Sequence, residues 1–355
     1  MDIRLAAIGT ISKGEGEMAK QILKVTGLKK YFPIKKGFFN HTVGYVKAVN
    51  DIDFEVNEGE TMGLVGESGC GKSTTGNCIV RLLEPTAGSI AYTARDGRTI
   101  DFATASHKDI MPFRREIQMV FQDPFSSLNP RMTVRDIIAE PSRLFRTVSK
   151  SEEQDMVAKL MTRVGLRPEY MVRYPHAFSG GQRQRIGIAR ALSVNPQLVV
   201  CDEAVSSLDV SVQAQVLGLL EDLQAEYKMS YLFIAHDLSA VKHISDRIVV
   251  MYVGKVVEIC ETEELYAHPM HPYTEALLGS VPKLVADKNV RKATLEGEVP
   301  DPSRPPEGCF FHPRCKYATE DCKHIDMKLI PIDKNEPLGH RTTCIRYQDL
   351  SLKGV

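Results

Sequence analysis

The chain has 355 residues, of which 43% are hydrophobic and 25% charged, with 45 basic side chains set against 45 acidic ones. This is ordinary globular composition with room for two domains. It lacks the basic excess of a nucleic-acid footprint, and no apolar run approaches the roughly 18 residues of a membrane span. The opening MDIRLAAIGTISKG has one arginine and a short apolar patch, a poor signal peptide. Residues 1–17 read as a leader, with Met18 as an ordinary start.

In chain order, QILKV (residues 21–25) reads as a short strand, and Ile52, Phe54 and Val56 alternate as a second. TMGLVG runs into a glycine-rich loop, and KSTTGNCIVRLL leaves it as a helix. IQMVFQ is an apolar strand. From about Thr133 to Gly165 the pattern is helical, with a candidate capping box at Ser149 and Glu152. The helix GQRQRIGIARAL follows, then the buried strand QLVVCDE, the helix VQAQVLGLLEDL, the buried strand YLFIAH, and a hairpin around Gly254. Strands alternating with helices predict a largely parallel sheet. Beyond Glu263, proline, histidine and then cysteine become frequent, which marks a boundary.

GESGCGKST at Gly66–Thr74 fits the phosphate-loop pattern G-x-x-x-x-G-K-[ST] through Gly66, Gly71, Lys72 and Ser73. Glycines let successive backbone N–H groups turn toward phosphate oxygens, so Ser68, Gly69, Cys70 and Thr74 belong to the same cradle. Lys72 is placed to neutralise the β- and γ-phosphates, and Ser73 to offer its hydroxyl to Mg²⁺. LVVCDE adds Asp202 for the Mg²⁺ shell and Glu203 as a general base for the attacking water. A second stretch, FSGGQRQR at Phe178–Arg185, also has a phosphate-binding composition at a helix N-terminus. One phosphate loop does not require another.

The ordered set GESGCGKST, Gln122, FSGGQ, LVVCDE and His236 resembles the ATP-binding-cassette ATPases over roughly residues 22–280. The resemblance implies an α/β P-loop NTPase fold with an inserted α-helical subdomain and a Cys-containing C-terminal extension. The cassette would span 18–262, its helical subdomain about 125–189, and the extension 263–355. Gln122 looks like the glutamine that contacts Mg²⁺ or water and senses γ-phosphate. Ser179, Gly180 and Gly181 look like the signature loop, Asp209 like the D-loop aspartate, and His236 like the switch histidine. Phe32, with Tyr31 as competitor, is the candidate for stacking on adenine. In this family two cassettes dimerise head to tail, so the second loop grips the nucleotide held by a partner. Ala204 and Ser207 depart from the usual proline and alanine, but neither removes a catalytic group.

HPYTEALLGSVP at His271–Pro282 and GCFFHPRC resemble the C-terminal extension of oligopeptide/dipeptide importer ATPases of the OppF/DppF type. The resemblance implies a peripheral subunit on the cytoplasmic face of the membrane, hydrolysing ATP with Mg²⁺ to drive peptide uptake. Its partners would be a sister ATPase in a heterodimer, two transmembrane permeases and an extracytoplasmic peptide-binding protein. The stretch 125–178 would dock the permeases beside Gln122. Nickel-importer ATPases share these motifs; soluble cassette proteins of translation or repair are a remote alternative.

Cys309, Cys315, Cys322 and Cys344 follow C-x5-C-x6-C-x21-C, looser than most structural zinc sites. Four thiolates can also hold a [4Fe–4S] cluster, and free thiols are the third reading. Some peptide-importer ATPases carry such a cluster in this extension with similar spacings, so the resemblance makes a [4Fe–4S] staple the expectation. His312 and His340 lie nearby and could replace a ligand, but read first as local structure.

Overall fold

The computed structural model describes residues 20–280 and 297–355. The expected leader at 1–17 and the end of the His271–Pro282 stretch lie outside the described residues. Among the described residues, an antiparallel sheet is built from β1 (Gln21–Lys36), β2 (His41–Asn57), β4 (Ala87–Thr93) and β5 (Thr99–Asp101), in the order β2-β1-β4-β5. A second sheet uses β3 (Thr61–Val65), β6 (Ile117–Val120), β7 (Leu198–Asp202), β8 (Ser230–Ile234), β9 (Arg247–Tyr252) and β10 (Lys255–Glu261), joined by β11 (Ile330–Pro331) and β12 (Arg341–Thr342). Its order is β11-β12-β10-β9-β3-β8-β7-β6. Strands β9, β3, β8, β7 and β6 run parallel; β10, β12 and β11 add antiparallel neighbours at one edge.

The continuous apolar runs of β3, β7 and β8 follow from burial on both faces. Along β8, Tyr231 and Phe233 enter one hydrophobic core while Leu232 and Ile234 enter the other. The first core joins the sheet to the helices, including Val134–Phe145, Glu153–Arg163 and Gly180–Leu192. The second joins it to the antiparallel sheet through Ile52, Phe54 and Val56 of β2. The parallel strands end on one side, where the loops after β3, β6, β7 and β8 gather the candidate site residues. This is the end at which open α/β sheets bind ligands.

Three sequence expectations change in detail. The short strand at 21–25 is the start of β1, which continues to Lys36 because register shifts let it stay paired with β2. The helical pattern from Thr133 to Gly165 is two helices, broken after Phe145 where Arg146 turns left-handed at φ 51°. Ser149 and Glu152 do not form a capping box: Glu152 reaches back to Ser149, but the helix begins at Glu153 with no side-chain cap. The reciprocal capping box lies instead on Ser179 and Gln182. The hairpin at Gly254 forms as read, with Val253 at φ 44° and Gly254 at φ 75°. No helix among the described residues is long and apolar enough to cross a membrane.

Candidate functional site

The loop Gly66–Gly71 leaves β3 and turns directly into the helix Lys72–Ile79. Gly66 has φ 151° and Gly71 φ 109°. A Cβ on Gly66 would lie 2.2 Å from the Met251 carbonyl oxygen, and one on Gly71 2.1 Å from that of Ala48. The loop therefore needs bare backbone at both positions. Ser68 and Gly69 are exposed at its tip, and Thr74 is half-buried. Cys70 is buried, and burial pushes its thiol upward, so it packs as a neutral residue. The Lys72 ammonium donates to the carbonyls of Gly66 at 2.8 Å and Glu67 at 3.0 Å. It is a cation folded over its own loop.

Ser73 Oγ donates to Asp202 Oδ1 at 2.8 Å, bringing the phosphate loop to the end of β7. Burial raises the Asp202 carboxyl above its usual range, opposed by the Ser73 hydrogen bond. The next residue, Glu203, holds φ 46°, a strained value for a side chain of this size. Its backbone N–H donates to the Ile234 carbonyl at 2.9 Å, tying the strained turn to the end of β8. Its carboxylate accepts from Gln122 Nε2 at 2.6 Å on one oxygen and lies 3.4 Å from His236 Nδ1 on the other. Gln122 and His236 are both exposed at the ends of their strands. Six of the residues named from the sequence thus meet: Lys72, Ser73, Gln122, Asp202, Glu203 and His236. A cradle of backbone amides, a lysine, a hydroxyl and two carboxylates suits a magnesium-bound polyphosphate.

The signature residues stand apart from this group. Ser179 caps the helix Gly180–Leu192: its hydroxyl accepts from Gln182 N at 3.4 Å, while Gln182 Oε1 accepts from Ser179 N at 3.1 Å. Among the described residues no hydrogen bond joins Ser179, Gly180 or Gly181 to the loop Gly66–Thr74. Asp209 caps the helix Val210–Tyr227, accepting from Ser211 Oγ at 2.7 Å and Val212 N at 2.9 Å. These bonds hold its carboxyl below the usual range. Phe32 is 36% exposed. Tyr31 is tied to Asn50 by a 2.6 Å hydroxyl hydrogen bond.

The sequence reading missed a link between the signature helix and the loop after Gln122. The guanidinium of Arg183 lies 4.1 Å from the Phe125 ring centroid, and that of Arg190 5.9 Å from Phe121. Arg190 also donates to the Ser127 carbonyl at 2.7 Å. The signal was three arginines on a half-buried helix, which need acceptors or aromatic faces.

The iron–sulfur expectation is corrected. Cys309, Cys315, Cys322 and Cys344 line one cavity with Phe311 and Ile325, and none of them forms a disulfide. Burial pushes Cys309 up to about 12 and Cys344 up to about 11, and raises Cys315, which favours the protonated form. Among the described residues, the set of metal-type ligand atoms lying within 4.8 Å of one another is Glu258, Cys260 and His340, and contains none of the four. That set is itself a hydrogen-bonded acid: Glu258 accepts from Met270 N, His271 N, Thr274 Oγ1 and His340 Nε2. His312 Nδ1 contacts the Cys309 carbonyl oxygen at 2.8 Å.

Residues 49–206 match the family model "ABC transporter", and residues 257–322 match "Oligopeptide/dipeptide transporter, C-terminal region". The chain is 50% identical over 328 residues to the oligopeptide transport ATP-binding protein AppF of Bacillus subtilis (strain 168), covering 92% of this chain and 97% of that one. It is 48% identical over 339 residues to the oligopeptide transport ATP-binding protein OppF of Salmonella typhimurium, covering 94% and 98%. In fold it is similar to the dimeric bacterial ABC transporter cassette MJ0796, with a TM-score of 0.59 and 25% identity over 68% of this chain and 99% of that one. The chain therefore belongs to the ABC transporter ATPases, in the branch that carries the oligopeptide/dipeptide transporter C-terminal region.

Proposed function

We propose that this chain hydrolyses ATP to power the import of di- and oligopeptides, working as a peripheral subunit on the cytoplasmic face of the membrane. Its partners are a sister ATPase, two transmembrane permeases and an extracytoplasmic peptide-binding protein. The observation that supports it most is the meeting of Lys72, Ser73, Asp202, Glu203, Gln122 and His236 at one end of the parallel sheet, in a chain whose named relatives transport peptides. Those names favour peptides over nickel. The extension beyond 262 and the helical subdomain at about 125–189 fit the same assignment.

In this reading Lys72 leaves its two loop carbonyls for the β- and γ-phosphate oxygens, while the amides from Gly66 to Thr74 surround the rest of the chain of phosphates. Phe32 stacks on the adenine. Ser73 and Asp202, with Gln122, would hold Mg²⁺, which would neutralise phosphate charge when bound. Glu203 takes the proton of the attacking water, and Gln122 and His236 set the orientation of its carboxylate. His236 then lies toward the γ-phosphate. Ser179, Gly180 and Gly181 present a capped helix N-terminus, with its partial positive charge, to the nucleotide of the sister subunit, and Asp209 lines the same dimer face. The helical region docks the permeases, and Arg183 and Arg190 carry its movement to Gln122.

The test is ATP turnover by the assembled transporter with and without peptide-loaded binding protein. Stimulation by peptide is expected. Turnover that ignores peptide and responds to nickel would contradict the reading.

A further inference from the structure

The HPRC stretch of the extension contains an arginine that the nucleotide chemistry above does not use. Arg314 forks onto the carboxylate of Glu67, with Nη1 donating to Oε2 at 2.7 Å and Nη2 to Oε1 at 3.1 Å. Nη1 also donates to the Tyr252 hydroxyl at 3.2 Å. Glu67 is the second residue of the phosphate loop, 247 positions upstream. The Arg314 side chain is 3% exposed and that of Glu67 24%. The Glu67 backbone N–H is held as well, donating to the buried Tyr273 hydroxyl at 2.8 Å. Tyr252, Tyr273 and Phe311 pack ring against ring at 4.6 to 5.4 Å beside this pair. A separate contact runs from Lys47 N to the Pro302 carbonyl at 3.1 Å, next to Ala48, whose own carbonyl abuts Gly71.

A carboxylate on a loop that surrounds a polyanion is an electrostatic liability. Left unpaired, Glu67 repels the phosphates that the loop must hold. A bidentate guanidinium cancels that charge and fixes its direction at once, which a lysine does with one bond and less geometry. We propose that Arg314 is a positioning residue of the nucleotide site: from the C-terminal extension it neutralises and pins Glu67, so that the phosphate loop accepts a nucleoside triphosphate. The extension is then part of the ATP site and not only an appendage to it. This rests on the nucleotide reading of the loop given above.

The experiment uses the full chain as wild type, Arg314→Ala, Arg314→Lys and the double variant Arg314→Ala/Glu67→Gln. A fluorescent ATP analogue gives affinity, steady-state hydrolysis gives KM and kcat, and thermal unfolding gives stability. Arg314→Ala is expected to weaken nucleotide binding and raise KM roughly tenfold, the scale of one partly screened charge, with kcat changed little. Arg314→Lys falls between. Adding Glu67→Gln to Arg314→Ala restores affinity, because no charge is left to neutralise. If Arg314→Ala does not fold, the same rescue is read by adding Glu67→Gln to Arg314→Lys. Unchanged affinity in Arg314→Ala, or a double variant as weak as the single one with lowered thermal stability, makes the arginine a structural brace and overturns the proposal. Failure of the wild type to bind the analogue at all overturns the nucleotide reading, and this proposal with it.

Discussion

Gln122 Nε2 donates a 2.6 Å hydrogen bond to Glu203 Oε2, joining the loop after β6 to the strained residue after β7. The two are 81 positions apart in sequence. With His236 3.4 Å from the other carboxylate oxygen, Glu203 is held from both sides by groups that stand at the ends of neighbouring strands. Anything that moves the loop after Gln122 therefore moves the orientation of this carboxylate.

On that arrangement, Glu203→Gln keeps an acceptor for Gln122 and loses the carboxylate proposed as the base. Nucleotide binding is expected to stay within a few-fold of wild type, while hydrolysis falls by about 10² or more. Equilibrium binding and single-turnover hydrolysis on the same preparation check both halves. Normal turnover in the variant removes Glu203 from the role of base.

Gly71→Ala places a Cβ 2.1 Å from the Ala48 carbonyl oxygen at a φ of 109°. The loop must shift or the β2 backbone must retreat. A stability loss of about 2–4 kcal/mol is expected, together with loss of nucleotide binding. Denaturant unfolding and nucleotide titration measure the two. A variant of wild-type stability means that the loop has more room than its geometry shows.

Ser179 separates capping from charge. Ser179→Ala removes the side-chain acceptor for Gln182 N and is expected to cost about 1 kcal/mol of stability. Ser179→Asp caps as well as serine, but sets a negative charge at the helix N-terminus proposed to face a partner's nucleotide. Turnover by the assembled pair is expected to fall at least about tenfold in Ser179→Asp with stability unchanged. Full turnover in that variant removes the signature loop from contact with phosphate.

The parallel strands were legible because their physics is local. Leu198–Asp202 and Ser230–Ile234 are buried on both faces, so they appear in the sequence as apolar runs, LVVC before Asp202 and YLFI after Ser230. The glycine loop was legible because only glycine tolerates its backbone. The length of β1 was not, since its bulges break the alternation that marks a strand. Ser149 and Glu152 have the spacing of a capping box, but spacing does not say where helical hydrogen bonding begins. The four cysteines show the same limit: their positions in the chain gave a ligand count and no geometry, and among the described residues none of them belongs to the set of metal-type ligand atoms that lie close together. The Arg314–Glu67 pair had no local signal at all, because it depends on where the extension folds back.

His271 gives a pH dependence. It is fully buried, and burial alone lowers its pKa from 6.5 to about 3. Its Nδ1 accepts from Tyr273 N at 3.1 Å, so the neutral ring is the form that caps the helix Pro272–Gly279. The unfolded chain binds this proton near 6.5 and the folded chain does not until about 3. Its contribution to stability is therefore complete above pH 6.5 and is lost progressively as the pH falls from there toward 3. The slope is one proton, about 1.4 kcal/mol per pH unit. His271→Asn keeps a cap and cannot titrate, so its unfolding free energy should fall less steeply between pH 6 and pH 4. Parallel slopes for the two proteins contradict this role.

The most direct measurement is uptake of labelled di- and oligopeptides by cells lacking this gene, complemented by the wild-type chain or by Glu203→Gln. The account predicts that uptake is lost with the gene, returns with the wild type and stays absent with Glu203→Gln at equal expression. Peptide uptake that persists without the gene, or that Glu203→Gln restores, contradicts a peptide importer powered by this site.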